Sequence, residues 1–513
     1  MRVLKHIIFL SLIILSFTFL FSEETKFLHT SGPKICTTWA KALGGGNTDL
    51  AYAISKTSDN GFIIGAYTSS YGTCGFSLFL IKINSREEIT WNKAYSSDRE
   101  NILNSITETS DGGFVIAGRY YTYGTGNDRF LVVKFNSSGN IVWSKTYSDN
   151  FTDEALFVKE DAQGNLVVVG NTLYSESSSS ILILKLNSDG EVIWSKTYGG
   201  NNLDHATSFA ITQTNEYLIT GYSNSFGRGD YDIFLMKIDS NGNLIWCNSY
   251  GKEKNDRATS IIKTSDGNFI VAGYTQSFGI SGSDFLCMKL NSDGKISWAK
   301  IYKGYTNDLA YTVTELPNGN YAIGGNTLSF GGGNKDLLLL GINPQGNILW
   351  SKTYGGSDFE GIGKMVGTPD EGILITGWTY TFGQGVVNGT PSILLLKMSQ
   401  AGDMRDCLFF RECAPTTESI SLDIADQPLS TITVTVSSTP ISFNAYDTSV
   451  GVEDICPTGD INGDGTLDTN DAVILNEYLI ENKIDINRWI SDMNGDGKVN
   501  IVDIILLILK ING

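Results

Sequence analysis

Histidine and positive charge are both scarce in this chain. Its 513 residues include three histidines, and 37 lysines and arginines stand against 55 aspartates and glutamates, which gives a net charge of −18. This balance argues against nucleic acid as a partner, because a phosphate backbone binds a basic face. It suits a protein that handles cations or neutral polymers. The cysteines and histidines show no spacing that resembles a zinc site.

Long apolar runs are absent beyond the first residues. Arg2 and Lys5 precede a largely apolar run of 15 residues, Ile7–Phe21, and Ser22 is a small residue at the expected cleavage point. A bilayer requires about 20 residues, so we predict a signal peptide over residues 1–22; an uncleaved anchor helix is the alternative. We expect no membrane span in the mature chain, and a secreted location or attachment to the cell surface.

The cysteine count is odd. There are seven cysteines, so at least one is unpaired or pairs outside the chain. Cys36, Cys407, Cys413 and Cys456 flank the repeats described next. A disulfide among these four would clasp the two ends of the repeat array, but the pairing stays open.

A segment of about 52 residues recurs seven times. It is marked by a tryptophan at intervals of 52, 52, 51, 52, 52 and 52 residues. These residues are Trp39, Trp91, Trp143, Trp194, Trp246, Trp298 and Trp350. Each copy holds four short strand-like runs separated by Asp-Gly or Asn-Gly turns. Four strands in each unit of this length are typical of a propeller blade.

We therefore predict a mainly β protein, with a seven-bladed propeller over residues 36–412. The Trp strand has eight candidate positions for seven blades, the last at residues 403–409. Either the first or the last could complete the seventh blade and remove the exposed sheet edges. We expect Trp and Tyr of this strand, which lie on one face, to pack against a neighbouring blade.

The repeats resemble the Trp/Gly-rich propeller repeats of secreted bacterial proteins. The turn Asn-Ser-Asp-Gly-Lys-Ile-Ser-Trp298 is also similar to the motif of pyrroloquinoline-quinone dehydrogenases. Those enzymes have eight blades and an adjacent cysteine pair, which this chain lacks. A quinoprotein-like oxidoreductase is therefore a minor alternative, and we expect no organic cofactor.

Ten residues after each Trp, six of the seven copies carry an acidic residue. The positions are Asp49, Asn101, Asp153, Asp204, Asp256, Asp308 and Glu360. One interpretation is a set of carboxylates that accept hydrogen bonds at strand entries. The other is a ring that binds a cation in the central channel.

No catalytic group stands out among the repeats. We interpret His205 as a surface residue, because other copies carry Leu, Glu or Arg there, and we find no break in symmetry at the channel mouth. Aromatic loops at Tyr120–Tyr123 and Trp378–Tyr380 could stack on sugar rings or pack between blades. The even repeats favour a binding or scaffold role over an enzyme.

The repeat pattern stops near residue 412. Residues 413–457 are rich in Ser, Thr and Asp, with alternation at Thr431–Val436 and Ile441–Tyr446. We predict a linker that could include a β-hairpin.

Two 12-residue loops near the end have the pattern of a calcium site. Calcium binds six to eight hard oxygens, and Gly465 and Gly497 allow the sharp bend at position 6. We predict two Ca²⁺ ions, one in each loop. The ligands of the first are Asp460, Asn462, Asp464, Thr466, Asp468 and Asp471, and those of the second are Asp492, Asn494, Asp496, Lys498, Asn500 and Asp503.

A helical run follows each loop, and this duplicated loop-plus-helix over residues 458–513 resembles a type I dockerin, a small α-helical calcium-binding domain. The resemblance implies a cohesin-bearing partner. In this family the partner is read by loop positions 10 and 11, which here are Thr469 and Asn470, then Ile501 and Val502. The second pair is apolar and departs from the common pattern.

Two functions follow as hypotheses. The favoured one is a secreted, non-catalytic propeller anchored by its calcium-loaded dockerin, as in a cellulosome, which binds a polysaccharide or a surface protein. The alternative is a carbohydrate-active enzyme, a polysaccharide lyase or glycosidase, with its site on the propeller.

Overall fold

The computed structural model describes residues 38–73, 75–121, 128–149, 151–279, 281–332 and 334–404, and seven short strands between residues 410 and 454. Seven antiparallel sheets are arranged as the blades of a propeller, which confirms the predicted fold. The predicted signal peptide, the two predicted calcium loops and the four flanking cysteines lie outside the described residues. In the described part of the chain, no helix has the length and apolar character to cross a membrane.

Each blade contains four strands that run outward from the channel, and a fifth strand covers its outer edge. The first strand is β1 (Trp39–Gly44). Blades 1 to 3 comprise β2 (Asp49–Lys56), β3 (Phe62–Thr68), β4 (Ser77–Ile83), β5 (Ile89–Ser96); β6 (Asn101–Glu108), β7 (Phe114–Tyr120), β8 (Arg129–Phe135), β9 (Ile141–Ser148); and β10 (Thr152–Glu160), β11 (Leu166–Ser175), β12 (Ser178–Leu186), β13 (Val192–Gly199).

Blades 4 to 6 comprise β14 (Asp204–Ile211), β15 (Tyr217–Ser223), β16 (Asp232–Ile238), β17 (Leu244–Gly251); β18 (Asp256–Lys263), β19 (Phe269–Thr275), β20 (Asp284–Leu290), β21 (Ile296–Lys303); and β22 (Asp308–Glu315), β23 (Tyr321–Thr327), β24 (Asp336–Ile342), β25 (Ile348–Tyr354). Blade 7 comprises β26 (Glu360–Gly367), β27 (Gly372–Thr379), β28 (Ser392–Ser399) and β1, with a 3₁₀ helix at Gln384–Asn388.

The first Trp strand closes the ring. β1 pairs antiparallel with β28, in a register that runs from Trp39 opposite Lys397 to Leu43 opposite Ile393. Of the two candidate Trp strands, the amino-terminal one therefore completes blade 7. Blade 7 is built from strands distant in sequence, which ties the beginning of the repeat array to its end.

The blades are joined by a contact between the Trp strand of one blade and a turn glycine of the next. In six blades the tyrosine four residues after the Trp donates its hydroxyl proton to the carbonyl oxygen of that glycine, at 2.5 to 2.9 Å. The glycines are Gly139, Gly190, Gly242, Gly294, Gly346 and Gly402, all with positive φ. A Cβ at any of them would lie 2.5 to 3.1 Å from the Trp ring. The predicted packing of Trp and Tyr on a neighbouring blade is confirmed.

The joint between blades 7 and 1 is different. Trp39 donates its indole N–H to Glu87, which occupies the turn position with a φ of 68°. The second oxygen of Glu87 pairs with Lys397, a side chain that is 1% exposed and is also paired with Asp370. The closing joint therefore replaces an apolar contact with a buried charge network.

Seven short strands between residues 410 and 454 form a belt around the propeller. Its seven strands are β29 (Phe410–Glu412), β30 (Thr416–Ser419), β31 (Asp423–Asp426), β32 (Ser430–Thr433), β33 (Ser437–Pro440), β34 (Asn444–Asp447) and β35 (Gly451–Asp454). In this order they pair antiparallel with the outer strands of blades 6, 5, 4, 3, 2, 1 and 7. Because neighbouring strands rotate by about 20–25°, a fifth strand lies nearly at right angles to the first and can run around the circumference.

The belt replaces the linker hairpin expected from the sequence. Among the described residues of 410–454, each strand pairs with a blade and none pairs with another strand of the segment. The physical reason is that the outer strand of each blade has an unpaired edge, which offers a ladder of hydrogen bonds. The sequence carries the signal, since the residues that precede the last five belt strands are apolar and seven apart. They are Leu422, Leu429, Val436, Phe443 and Val450.

The joint between blades can be tested with two glycines that differ only in their surroundings. Gly294 and Gly267 have φ values of 79° and 80°, but a Cβ at Gly294 would lie 2.5 Å from Trp246, whereas nothing lies within 4 Å at Gly267. Both substitutions with Ala cost the strain of a positive φ, about 1–2 kcal/mol. Gly294→Ala should cost about 1–3 kcal/mol more, because it overpacks the joint. Denaturant unfolding of both variants measures the difference, and equal losses would contradict the proposed role of the contact.

The belt can be tested by truncation. A chain that ends at residue 457 keeps the belt, and a chain that ends at residue 404 loses it, while both lack the C-terminal region. Each backbone hydrogen bond stabilises by about 0.5–1.5 kcal/mol, so the shorter chain should unfold at a clearly lower temperature. It should also aggregate more readily, because seven sheet edges become exposed. Identical melting temperatures for the two chains would show that the belt adds no stability.

A candidate binding site in the mouth of the central channel

The innermost strands of all seven blades line a cavity of ≈ 670 Å³ at one end of the channel. A volume of this size is typical of a ligand site. A smaller cavity of ≈ 240 Å³ continues down the channel, again lined by all seven innermost strands. We call the larger cavity the mouth.

A β-bulge in each innermost strand bears the side chain that points at the channel. In β2 the register shifts between Ala51 and Ala53, so that Tyr52 is the extra residue, and the same shift recurs in the next five blades. The extra residues are Tyr52, Asn104, Leu156, Thr207, Thr259 and Tyr311. In β26 the irregularity spans Gly363 and Lys364. Bulges re-aim side chains, and here they give each blade a different group in the mouth.

Three of these bulge side chains tie neighbouring innermost strands together. Thr207 and Thr259 donate hydroxyl protons to the carbonyl oxygens of Ala258 and Ala310, at 2.8 and 2.9 Å. Asn104 donates to the carbonyl oxygen of Ala155 at 2.9 Å. These bonds satisfy backbone groups that have no strand partner across the channel.

The symmetry of the repeats is broken in three consecutive blades. The residue directly after the recurring acidic position is Glu154, His205 and Arg257 in blades 3, 4 and 5, and all three line the mouth. The corresponding residues of the other blades are Leu50, Ile102, Leu309 and Gly361. The expectation of an even channel was therefore wrong, because the differences between copies at this position were interpreted as surface variation, whereas these side chains line the mouth.

His205 lies in a stacked polar group and is not the surface residue expected from the sequence. Its ring is stacked on Tyr222 with centroids 5.1 Å apart, and its Nε2 lies 3.2 Å from the hydroxyl of Ser179. Burial lowers the pKa of His205, and the charge of Arg257 lowers that pKa further. The imidazole is therefore neutral at physiological pH.

Arg257 is held between aromatic rings. Its guanidinium carbon lies 4.3 Å from the ring centre of Tyr222 and 4.4 Å from that of Tyr231. Its Nε is buried and has no hydrogen-bond partner among the described residues. A stacked guanidinium of this kind presents a fixed fork of donors.

Two lysines join Arg257 in the lining of the mouth, Lys335 and Lys364. Burial lowers the pKa of Lys335, and burial together with the neighbouring Lys159 lowers the pKa of Lys364 to about 8. Neither forms an ion pair with a described residue. Glu154, the single carboxylate among the described lining residues, accepts a hydrogen bond from Asn104 at 3.0 Å.

Seven lysines elsewhere in the blades form ion pairs, unlike the lysines of the mouth. Lysines of the third strand, and one of the outer strand, each meet a carboxylate. The pairs are Lys82–Asp59, Lys134–Asp111, Lys185–Asp161, Lys237–Glu216, Lys289–Asp266, Lys352–Asp403 and Lys397–Asp370. The unpaired cations of the mouth are thus a local feature of the channel.

Aromatic rings form another part of the mouth. Tyr52 stacks on Trp378 with centroids 4.9 Å apart and on Tyr67 at 5.4 Å, with interplanar angles of 28° and 12°. Trp378 was one of the residues considered for sugar stacking or for packing between blades. It packs between blades 7 and 1, against Tyr52, and it also lines the cavity. Stacking on a sugar stays a prediction.

A second cavity of ≈ 440 Å³ adjoins the mouth between blades 5 and 6. The two cavities share Arg257, Tyr274, Asn326 and Lys335 in their linings. Together they form an elongated depression, which suits an extended ligand better than a compact one.

The ring of acidic residues is buried at the entry of the innermost strands. Asp49 accepts hydrogen bonds from the backbone N–H of Gly45 at 2.8 Å and the hydroxyl of Ser70 at 2.7 Å, and also from Thr68. Glu360 repeats the arrangement with Gly356 and Thr379, at 3.0 and 2.8 Å.

These contacts agree with the hydrogen-bond interpretation of the ring. Burial raises the pKa values of Asp49, Asp204, Asp256, Asp308 and Glu360. Within the described ranges, no group of three or more His, Cys, Asp or Glu side chains is arranged to hold a metal ion.

The predicted calcium ligands and partner-contact residues fall outside the described residues. These are the two loop sets at 460–471 and 492–503, including Thr469, Asn470, Ile501 and Val502. Of the seven cysteines, Cys247 and Cys287 are described, and both side chains are buried.

Comparison with known families assigns the C-terminal region. Residues 458–512 match the model of the type I dockerin domain, and residues 82–316 match the model described as outer membrane protein assembly factor BamB. No curated protein matches the chain.

Solved structures similar to the chain include a protein of unknown function from Dyadobacter fermentans, 10% identical, with 72% of this chain and 100% of that chain covered and a TM-score of 0.37. Sqt1 from Chaetomium thermophilum is 11% identical, with 71% and 99% covered and a TM-score of 0.41. A glucose dehydrogenase is 8% identical, with 69% and 98% covered and a TM-score of 0.34.

The protein is thus a seven-bladed β-propeller that carries a type I dockerin domain after it. A dockerin implies anchoring to a cohesin-bearing partner, and domains of this type generally bind calcium. Proteins that carry them are typically extracellular.

The buried carboxyls near the ring predict a pH dependence. Burial raises the pKa of Asp284 from 3.8 to about 6, and the neighbouring Asp308 raises it as well. Because the folded state holds this proton more tightly than the unfolded state, the stabilisation is complete below about pH 4 and is lost as the pH rises through 6. Relative to Asp284→Asn, which stays neutral, the wild type should lose on the order of 1–2 kcal/mol between pH 4 and 8.

The control for this measurement has the opposite sign. Burial raises the pKa of Asp111, but hydrogen bonds from Lys134, Thr109 and Gly113 outweigh it and lower that pKa to about 2. Asp111→Asn should therefore be less stable than the wild type above about pH 4, and the gap should close in acid. Thermal unfolding across this pH range measures both variants. A difference between Asp284→Asn and wild type that does not change with pH would contradict the assignment.

Proposed function

We propose that this protein is an extracellular, cohesin-anchored module whose propeller binds a polysaccharide in the mouth of its channel. The observation that carries the proposal is the mouth itself. It breaks the symmetry of the repeats, it combines stacked aromatic rings with polar groups, and it continues into a second cavity. Aromatic faces with a few placed polar groups are the usual means of binding a polar ligand of extended shape.

The anchoring half of the proposal concerns the dockerin. We propose that each of its two loops binds one Ca²⁺ through the side-chain and carbonyl oxygens named from the sequence. Thr469, Asn470, Ile501 and Val502 would then contact the cohesin. Without a bound cation the carboxylates within each loop repel one another, so calcium removal should unfold this domain and abolish docking.

A catalytic role is the second candidate, and the mouth favours one chemistry over another. A glycosidase uses two carboxyl groups across the scissile bond, whereas the described lining of the mouth holds Glu154 alone. Elimination by a lyase instead needs a base and a donor. The imidazole of His205, which is neutral at physiological pH, is stacked on the ring of Tyr222, and Arg257 contacts the same ring. A lyase is therefore the enzyme that this geometry supports.

The proposal is tested with the full chain on arrays of cohesins and glycans, with and without a chelator. We expect cohesin binding to disappear in chelator and in the double variant Asp460→Ala, Asp492→Ala, while glycan binding by the propeller persists. Trp378→Ala should weaken glycan binding about tenfold, or 1.4 kcal/mol. Tyr305→Ala is the matched control, because Tyr305 is 79% exposed and lies outside both cavities.

Two results would overturn the proposal. Cohesin binding that survives the chelator would remove the calcium-dependent anchor, and glycan binding unchanged in Trp378→Ala would move the ligand away from the mouth. New unsaturated sugar ends, detected by ultraviolet absorbance in the same incubations, would replace binding alone with lyase activity.

A further inference from the structure

We propose that the mouth selects an anionic sugar chain, and that Arg257, Lys335 and Lys364 bind its acidic groups. This inference rests on the proposed function and names the ligand class of the same site. It starts from a contrast within the chain. The protein has a net charge of −18, yet the charged lining of the mouth is dominated by cations.

The cost of unpaired charge is the first step of the argument. A buried or half-buried cation without a partner is unfavourable, because it loses hydration and gains no compensating contact. Seven lysines of the blades avoid this cost through the carboxylate pairs described above, and Lys159 in the channel donates to the carbonyl oxygen of Phe209 at 2.8 Å. Arg257, Lys335 and Lys364 have no carboxylate partner among the described residues, although the chain has acidic residues in excess. Arg257 and Lys364 lie over aromatic rings instead. Retention of three such cations at one cavity is what a site for an external anion requires.

The geometry of Arg257 is the second step. The rings of Tyr222 and Tyr231, with planes at 84° to one another, both contact its guanidinium. The buried Nε has no partner among the described residues, and the side chain lines both cavities. A guanidinium fixed in this way can bind a carboxylate or a sulfate through two parallel hydrogen bonds.

The placement of the cations along the cavities is the third step. Arg257 and Lys335 line both the mouth and the second cavity, whereas Lys364 lines the mouth and the channel below it. Cations thus occur along the whole depression, as expected for a polymer with an acidic group on successive units. The stacked pair Tyr52 and Trp378 supplies the flat apolar surface that a sugar ring, rather than a peptide, would use.

A densely charged polyanion fits the site poorly. Nucleic acids are bound by broad basic surfaces, and here the cations are confined to one depression in an acidic protein. The ligand is therefore expected to carry spaced acidic groups, either carboxylates of uronic acids or sulfate esters.

The test compares polymers that differ only in their acidic groups. Binding of the full-length protein to polygalacturonate and to the same polymer after carboxyl reduction is measured by calorimetry, with dextran sulfate of low substitution and dextran as the sulfate pair. We expect one acidic polymer to bind at least tenfold more tightly than its neutral counterpart, with an affinity that falls as salt is added. The pair that shows the difference identifies carboxylate or sulfate as the group recognised.

Variants assign the effect to the mouth. Arg257→Gln, Lys335→Gln and Lys364→Gln should each weaken binding of the acidic polymer several-fold, and Arg257→Lys should restore part of the loss. Lys295→Gln removes the same charge from an exposed turn outside the cavities and should leave binding unchanged. Melting temperatures check that each variant is folded, and the salt dependence of the wild type tests the inference without any variant.

The outcomes separate the inference from the function on which it rests. Equal binding of acidic and neutral polymers, lost in Trp378→Ala, would overturn the inference and leave polysaccharide binding in place. Binding to none of a broad set of acidic and neutral glycans would overturn both. A loss in Lys295→Gln as large as in Arg257→Gln would show a general charge effect and would also overturn the inference.

Discussion

The propeller depends on one contact, the seating of a Trp and a Tyr from one blade on a turn glycine of the next. The glycine is needed twice over, since its φ is positive and since a Cβ would strike the indole ring. The tyrosine hydroxyl, fully buried, finds its partner in the carbonyl group of the same glycine. This combination fixes the distance and the angle between neighbouring blades. Repetition of one such joint brings the chain around in a ring.

A ring built from identical joints still has to close and to cover its edges. The closing joint uses Glu87 and Lys397 in place of glycine, and β1 supplies the missing strand of blade 7. The belt then adds a fifth strand to every blade, in the reverse order of the blades. Its last two strands pair with β5 of blade 1 and with β1 of blade 7, so the belt spans the joint between these two blades on the outside. Edge protection and closure are thus achieved by the same segment.

The blade count and the strand pattern could be predicted because they repeat. Seven Trp residues at nearly constant spacing define the repeat even where one copy is ambiguous, and the turn residues recur at matching positions in each copy. The belt was missed because its strands have three or four residues, and the alternation at Thr431–Val436 and Ile441–Tyr446 suits a hairpin equally well. Its signal was the apolar residue every seventh position from Leu422 to Val450, and the belt's partners, the outer edges of the blades, lie far away in sequence.

The candidate site was harder to predict for the opposite reason. His205 and Arg257 differ from the other copies at a single position, which looks like surface variation when each copy is read alone. When the seven copies are aligned, three adjacent blades have a polar residue at this position, Glu154, His205 and Arg257. The other four blades have Leu, Ile, Leu and Gly there. The bulges that turn the next channel-facing residues inward have no sequence mark of their own. Their effect on the mouth therefore needed the structure.

The division of labour within each blade explains why the site lies where it does. The outer strand carries the joint and the belt contact, so its Trp and Tyr recur in nearly every copy. The innermost strand carries neither of these contacts. Its bulge residue points into the channel, and the type of this residue differs from blade to blade. Substitutions there alter the mouth and leave the joints of the outer strands in place, although Asn104, Thr207 and Thr259 also bond to the next innermost strand. A repeat protein of this kind is free to diverge at the channel, and the difference between copies is the best guide to what it binds.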